Sequence, residues 1–176
     1  MLSVEAALQL VLDRCPQPLP AHRVPLAEAL GMVLAEDVIS DLDLPPFDKA
    51  MMDGYAVRAA DLTRGQGTFL VVETVMAGQG PVHGVEPGQA SRIMTGAPMP
   101  AGADAVVMVE RSRPLGENQV ILEDPAPRPG QNVLPRAKEM RRGETVGPAG
   151  TRLRPQDIGV LAAAVGCKDV VDGHVA

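Results

Sequence analysis

The sequence predicts an α+β chain that is mostly β, and three observations carry that reading. Glycine (18) and proline (17) supply 35 of 176 residues, well above the roughly 12% usual for soluble proteins. Short apolar runs at Phe69–Val72, Ala105–Val109 and Val120–Leu122 are separated by Pro/Gly turns, the texture of many short strands rather than a helix bundle. Helical periodicity is confined to the two ends of the chain.

Taken in order, residues 3–14 read as a helix. Ser3 can cap it, Val4, Ala7, Leu8, Val11 and Leu12 fall on one face, and Pro16 stops it. A second, short helix is expected from Pro25 to Leu30, because proline suits the first helical position and Gly31 the position past the end. Met32 to Ser40 alternates as a strand with Val33, Ala35 and Val38 inward. From Asp41 to about Gly143 the β texture takes over. Glu86-Pro87-Gly88-Gln89 and Arg128-Pro129-Gly130-Gln131 both fit a type II turn, with Pro presetting the first central position and Gly accepting the positive φ of the second. Their flanks differ, so they read as independent turns rather than a repeat.

A turn at Pro148-Ala149-Gly150 leads to a third helix. Pro155 opens it, Asp157 complements its dipole, Ile158, Leu161, Ala162 and Val165 form its face, and Gly166 closes it. Asp169 to Val171 starts a strand, and the sequence stops five residues later at Ala176. A domain rarely ends there, so a fragment of a longer protein is expected. The layout is two helix-bearing flanks, 1–41 and 144–176, around a β-rich insert at 42–143. The matching texture of the flanks allows them to pack as one discontinuous domain.

Composition narrows the function classes. Aromatics are 2% and Trp is absent, so aliphatic residues fill the core, with nine Met suited to irregular gaps. A net charge of −6 disfavours non-specific binding to nucleic acid or anionic membranes. Cys15 and Cys167 lie far apart, which argues against a zinc site or disulfide framework and for a reducing cytoplasm. No apolar run approaches the roughly 18 residues of a membrane span, and no signal-peptide pattern is present. The expectation is a soluble cytoplasmic protein with neither nucleic acid nor membrane as partner.

Phosphate-loop, zinc-protease and serine-elbow motifs are missing, and His22, His83 and His174 are scattered. Gly65-Gln66-Gly67 and Gly78-Gln79-Gly80 lack the third glycine and the distal acid of a dinucleotide site. Three clusters remain. Asp48 and Asp53 flank a loop and could hold Mg²⁺ or orient a water; equally, they could serve as turn residues. Thr95-Gly96-Ala97-Pro98, with Arg92 behind it, offers a hydroxyl and turn amides to an anion, or is a strand end with a stiff loop. Arg136, Lys138, Glu139, Arg141 and Arg142 could hold an oxyanion around an acid, or form a solvated loop whose ion pairs contribute little.

The order of these clusters carries a resemblance. Leu44-Pro45-Pro46-Phe47-Asp48-Lys49-Ala50-Met51-Met52-Asp53-Gly54-Tyr55-Ala56-Val57 resembles the pattern LPPFDNSAMDGYAV of the molybdopterin molybdenumtransferase family, which includes MoeA and the gephyrin E domain. Arg92 through Val107 is similar to the family's RIMTGAP segment and its continuation. Asn132 to Gly143 and Gly147 to Ala162 match further segments, so the resemblance runs along essentially the whole chain. It implies a discontinuous helix-bearing domain around a β-rich one. It also implies a part in inserting molybdate into adenylylated molybdopterin, with Mg²⁺-dependent release of AMP.

Carried over residue by residue, Asp53, Thr95 and Glu139 fall at functional positions, with Asp53 and Glu139 as Mg²⁺ ligands and Arg92, Gly96 and Arg136 beside the cofactor. The chain departs from the pattern at Lys49-Ala50, where the family has Asn-Ser, and at Ala137-Lys138-Glu139, where it has Gly-Glu-Asp. The acid there is one methylene longer.

Family members continue into a pterin-binding domain and a small β-domain, and act as homodimers whose site joins two subunits. The resemblance therefore implies that this chain alone is inactive and needs the C-terminal pterin-binding domain of the other subunit. Two alternatives stand beside it: a non-catalytic dimerising or scaffold module, and an unrelated Mg²⁺-carboxylate hydrolase using Asp48 and Asp53.

Overall fold

In a computed structural model of the chain, which describes residues 2–14 and 20–165 and the backbone of 170–174, Ser3 caps the first helix as its position predicts. Its Oγ accepts from the Ala6 N–H at 3.2 Å. Helix α1 covers Val4–Leu12. Strands β1 (Ala21–Pro25), β2 (Val33–Leu34), β3 (Val38–Ile39), β4 (Lys49–Ala50), β5 (Gly54–Val57), β6 (Gln66–Val75) and β7 (Gln89–Ile93) follow. After them come β8 (Ala105–Met108), β9 (Ser112–Leu115), β10 (Gln119–Glu123), β11 (Val133–Leu134), β12 (Thr145–Gly147), helix α2 (Pro155–Ala164) and β13 (Val170–His174). The chain is thus mostly β. Cys15, Pro16, Gly166, Cys167 and Asp169, to which the sequence assigned roles, lie outside the described residues.

Two compact units result, one from residues 1–41 and 143–176, the other from 42–142. In the first, β1, β13 and β2 form an antiparallel sheet in that order, and β12 pairs with β3 across a bulge. Leu26, Ala29, Leu34, Leu153 and Leu161 make its core. The predicted helix after Pro25 is a single 3₁₀ turn, Leu26–Glu28.

The single strand expected over Met32–Ser40 is two short ones, and its phase is shifted by one residue. Leu34 is buried, whereas Val33 and Ala35 are half-exposed. Gly147 explains the shift: a Cβ there would lie 2.9 Å from Leu34 Cδ1, so its absence makes room for the leucine. Helix α1 forms where predicted, yet none of its residues is buried, and Val4, Leu8, Val11 and Leu12 are exposed. Periodicity sets where a helix forms; a facing surface is needed to bury it.

The second unit is built on a six-stranded sheet in the order β8-β5-β7-β6-β10-β9. Only β6 and β7 run parallel within it. Both faces of its centre are covered. Tyr55, Val57, Ala105 and Val107 pack with Phe69 and Leu122 on one side. Ala56 and Val106 pack with Val75 and Ile93 on the other. Burial on both faces is why the β5 and β8 segments read as continuous apolar runs without alternation. The two Pro-Gly turns form as expected: Gly88 and Gly130 have φ of 76° and 80°, and Gln89 and Gln131 donate back to Glu86 and Arg128 at 3.0 and 3.1 Å.

Candidate functional site

The end of β5 that carries Asp53 lies against the end of β7 that leads to Thr95. Gly54 stands opposite Ile93 on one side and Met108 on the other. A Cβ at Gly54 would fall 2.0 Å from the Val107 carbonyl oxygen, so only glycine lets β5 approach β8 this closely. Asp53, one residue earlier, is fixed twice. Its carbonyl accepts from Val109 N–H at 3.0 Å. Its Oδ1 accepts from both the N–H and the hydroxyl of Thr95, each at 2.7 Å.

These bonds to Thr95, the backbone donor first and the hydroxyl second, hold the Asp53 carboxyl below the usual range, with the Arg92 charge adding to them against a smaller desolvation cost. Asp53, Thr95 and Arg92 are all exposed. The result is an accessible carboxylate, ionised at neutral pH, with Oδ2 left out of the Thr95 bonds. Beside it sits a hydroxyl whose proton is directed at the carboxylate and whose lone pairs are free to accept. Arg92 also lines an open groove of about 390 Å³ together with Tyr55 and Thr74.

The turn amides expected to receive an anion are already engaged. Thr95 N–H faces Asp53. Gly96 N–H donates to Ala50 C=O at 2.9 Å, and Ala97 N–H to Met94 C=O at 3.0 Å. Gly96, with φ of 83°, shapes the turn that ties β4 to the strand end.

Arg136 is likewise turned to structure. Its Nε and Nη2 reach Asp43 Oδ2 at 2.7 and 2.6 Å, and its N–H donates to Asp48 Oδ1 at 2.7 Å. Asp43 Oδ1 accepts from Arg142 N–H at 2.9 Å. The guanidinium thus clamps a loop, while its side chain stays 65% exposed. Asp48 and Asp53 face different partners, Asp48 the Arg136 N–H before β4 and Asp53 the Thr95 donors before β5, and among the described residues no shared partner links the two carboxylates. Asp43, 93 residues from Arg136, carried no sequence signal beyond its place before the Pro-Pro stop.

Glu139 is exposed on the same loop, held by its N–H on Leu44 C=O at 2.9 Å. No hydrogen bond or ion pair joins it to Asp53 or Thr95. Among the described residues, no group of three or more His, Cys, Asp or Glu is placed to hold a metal ion. Mg²⁺ takes one or two carboxylates and completes its shell with water and substrate phosphate oxygens. Asp53, with one oxygen outside the Thr95 bonds, fits as such a single ligand.

A mostly β insert between helix-bearing flanks is a fold this chain shares with the front part of a molybdopterin biosynthesis protein. The MoeA protein of Pyrococcus horikoshii OT3 superposes with a TM-score of 0.88 at 38% identity, covering 97% of this chain and 45% of that one. Residues 2–165 match the family of the MoeA N-terminal region (domain I and II), and the chain belongs to that family. It is 36% identical to the molybdopterin molybdenumtransferase of Haemophilus influenzae and 39% identical to that of Synechococcus elongatus. The matches cover 93% and 94% of this chain but only 40% and 42% of those relatives, so it spans about two fifths of their length.

Proposed function

We propose that this chain supplies the Asp53–Thr95 part of a site that inserts molybdate into adenylylated molybdopterin, with release of AMP, in molybdenum cofactor synthesis. The observation that carries the reading is the double donation of Thr95 to Asp53 at 2.7 Å, within the two segments that match the family pattern. Asp53 stays ionised and orients the Thr95 hydroxyl, whose lone pairs can accept from a protonated oxyanion. Arg92 offsets negative charge gathered there. Asp53 would hold Mg²⁺, which when bound stabilises charge on the phosphoryl oxygens. Glu139 acts as a second acid only in an assembly that brings its loop to the substrate.

The reading places the pterin-binding domain outside this chain, on the other subunit of a homodimer, so the 176 residues alone do not turn over. The exposed apolar face of α1 favours an assembly role within the same protein. The test is molybdate-dependent AMP release. The complete enzyme carrying Asp53→Asn should lose turnover while keeping its melting temperature, and the 176-residue chain should release no AMP. Full activity in the Asp53→Asn enzyme would overturn the assignment.

A further inference from the structure

The turn Arg128-Pro129-Gly130-Gln131 is a sequence motif that the proposed site leaves unused, and it lines an open groove of about 470 Å³. Arg111, just past β8, stands in the same groove. Both are tied to a single buried acid. Asp124 is 2% exposed. Its Oδ1 lies 2.9 Å from Arg111 Nη1 and accepts from Ala126 N–H at 3.2 Å. Its Oδ2 accepts from the Gln131 side-chain amide. One carboxylate thus fixes the Arg111 guanidinium and, through Gln131, the turn that carries Arg128.

Burying a carboxylate is costly unless it is fully partnered, and here the partners are the Arg111 guanidinium and the turn that carries Arg128. The Arg111 side chain is 43% exposed although Asp124 holds one of its nitrogens. A guanidinium has five N–H donors in a rigid fork, so most of them remain for the groove. The charged residues lining it are Arg111, Arg128 and Asp124, which leaves a net positive charge in a chain whose total is −6. Asn132 adds a polar wall, and its amide is fixed on the Val106 carbonyl at 2.9 Å.

We infer that this groove is a binding site for a tetrahedral oxyanion, with Arg111 and Arg128 as the ligands and Asp124 as the residue that positions Arg111 and anchors the turn bearing Arg128. Neither Asp53 nor Thr95 lines the groove, and the inference does not rest on the transferase reading. Inorganic phosphate and molybdate share the chemistry it recognises, as a phosphoryl ester does.

The test is titration of the ¹⁵N-labelled protein with phosphate, with molybdate and with chloride at constant ionic strength. Saturable shifts of the Arg111 Nε–H and the Gln131 amide, absent with chloride, are expected with at least one oxyanion. Phosphate alone would indicate a phosphoryl group as the natural occupant, and molybdate alone the free oxyanion. Arg128→Gln leaves all three partners of Asp124 in place and should weaken binding about tenfold, the loss expected for one charge-assisted contact. Arg111→Gln should do the same, with the backbone amide spectrum reporting whether the fold survives. Arg113→Gln, on the edge strand β9, should leave affinity within about twofold. Equal responses to oxyanions and chloride, or unchanged affinity in Arg128→Gln, would overturn the inference whatever Asp53→Asn does to turnover.

Discussion

Thr95 gives both of its local donors, the backbone N–H and the hydroxyl, to the same oxygen of Asp53 at 2.7 Å. The pair joins residues 42 apart in sequence at one end of a six-stranded sheet. An exposed carboxylate gains little from ordinary surface contacts. Two donors converging on one oxygen set both its protonation state and its direction. Asp53→Asn keeps an oxygen for Thr95 and removes only the charge. In the complete enzyme it should lower turnover by roughly a hundredfold and leave the thermal transition nearly unchanged. Equal losses in both would assign Asp53 to the turn alone.

Thr95→Val removes the hydroxyl donor and leaves the backbone donor, so the Asp53 pKa should move up towards its ordinary value while Thr95→Ser leaves it low. The sign for stability follows. The folded pKa of Asp53 lies below the unfolded one. Its contribution is therefore complete above the unfolded value of about 3.9 and is lost as pH falls through the folded pKa. Carboxyl-carbon NMR titration of Asp53 in the two variants reads the shift directly. An Asp53 pKa in Thr95→Val as low as in the parent would show that the hydroxyl plays no part.

The sequence displayed much of this architecture and stopped where partners are distant. The β6, β8 and β10 segments were visible as short apolar runs between Pro/Gly turns, and the β8 run is unbroken because both of its faces are buried. Ser3, the Pro-Gly turns and Pro155 marked boundaries, since each acts through its own few backbone atoms. Asp53 and Thr95 were named as candidates, but not the bond between them. The Arg136–Asp43 pair went unread because nothing local reveals it, and Asp124 went unnoticed because its partners Arg111 and Gln131 lie in other segments of the chain. The phase of Leu34 was misread because its pocket is made by Gly147, more than a hundred residues on.

Gly54→Ala tests the packing that delivers Asp53. The added Cβ meets main-chain oxygen at 2.0 Å rather than a movable side chain. Relief requires β5 and β8 to separate, at a cost of about 3 kcal/mol. Chemical denaturation should show that loss, and the Thr95 amide should lose the resonance position set by Asp53. Gly116→Ala makes a useful contrast. Its φ of 68° is strained for alanine, but nothing lies within 4 Å of the new Cβ, so the backbone conformation alone should cost about 1 kcal/mol.

Asp43 governs the loop that carries Glu139. Its carboxyl is held below the usual range first by the Arg142 N–H and then by the Arg136 side chain. The clamp is therefore complete above the unfolded pKa of about 3.9 and is released as pH falls through the lower folded value. Asp43→Asn keeps one acceptor and loses the charge. Hydrogen exchange at the Ala137 and Glu139 amides, which donate to Pro45 and Leu44 at 3.0 and 2.9 Å, should quicken by about tenfold at neutral pH as local opening becomes easier. The acid-induced shift of the Arg136 Nε–H signal should vanish in the same variant. If Glu139 serves the reaction, the complete Asp43→Asn enzyme should lose turnover that Asp43→Glu partly restores. Unchanged exchange at both amides would mean that Leu44 and Pro45 hold the loop without the clamp.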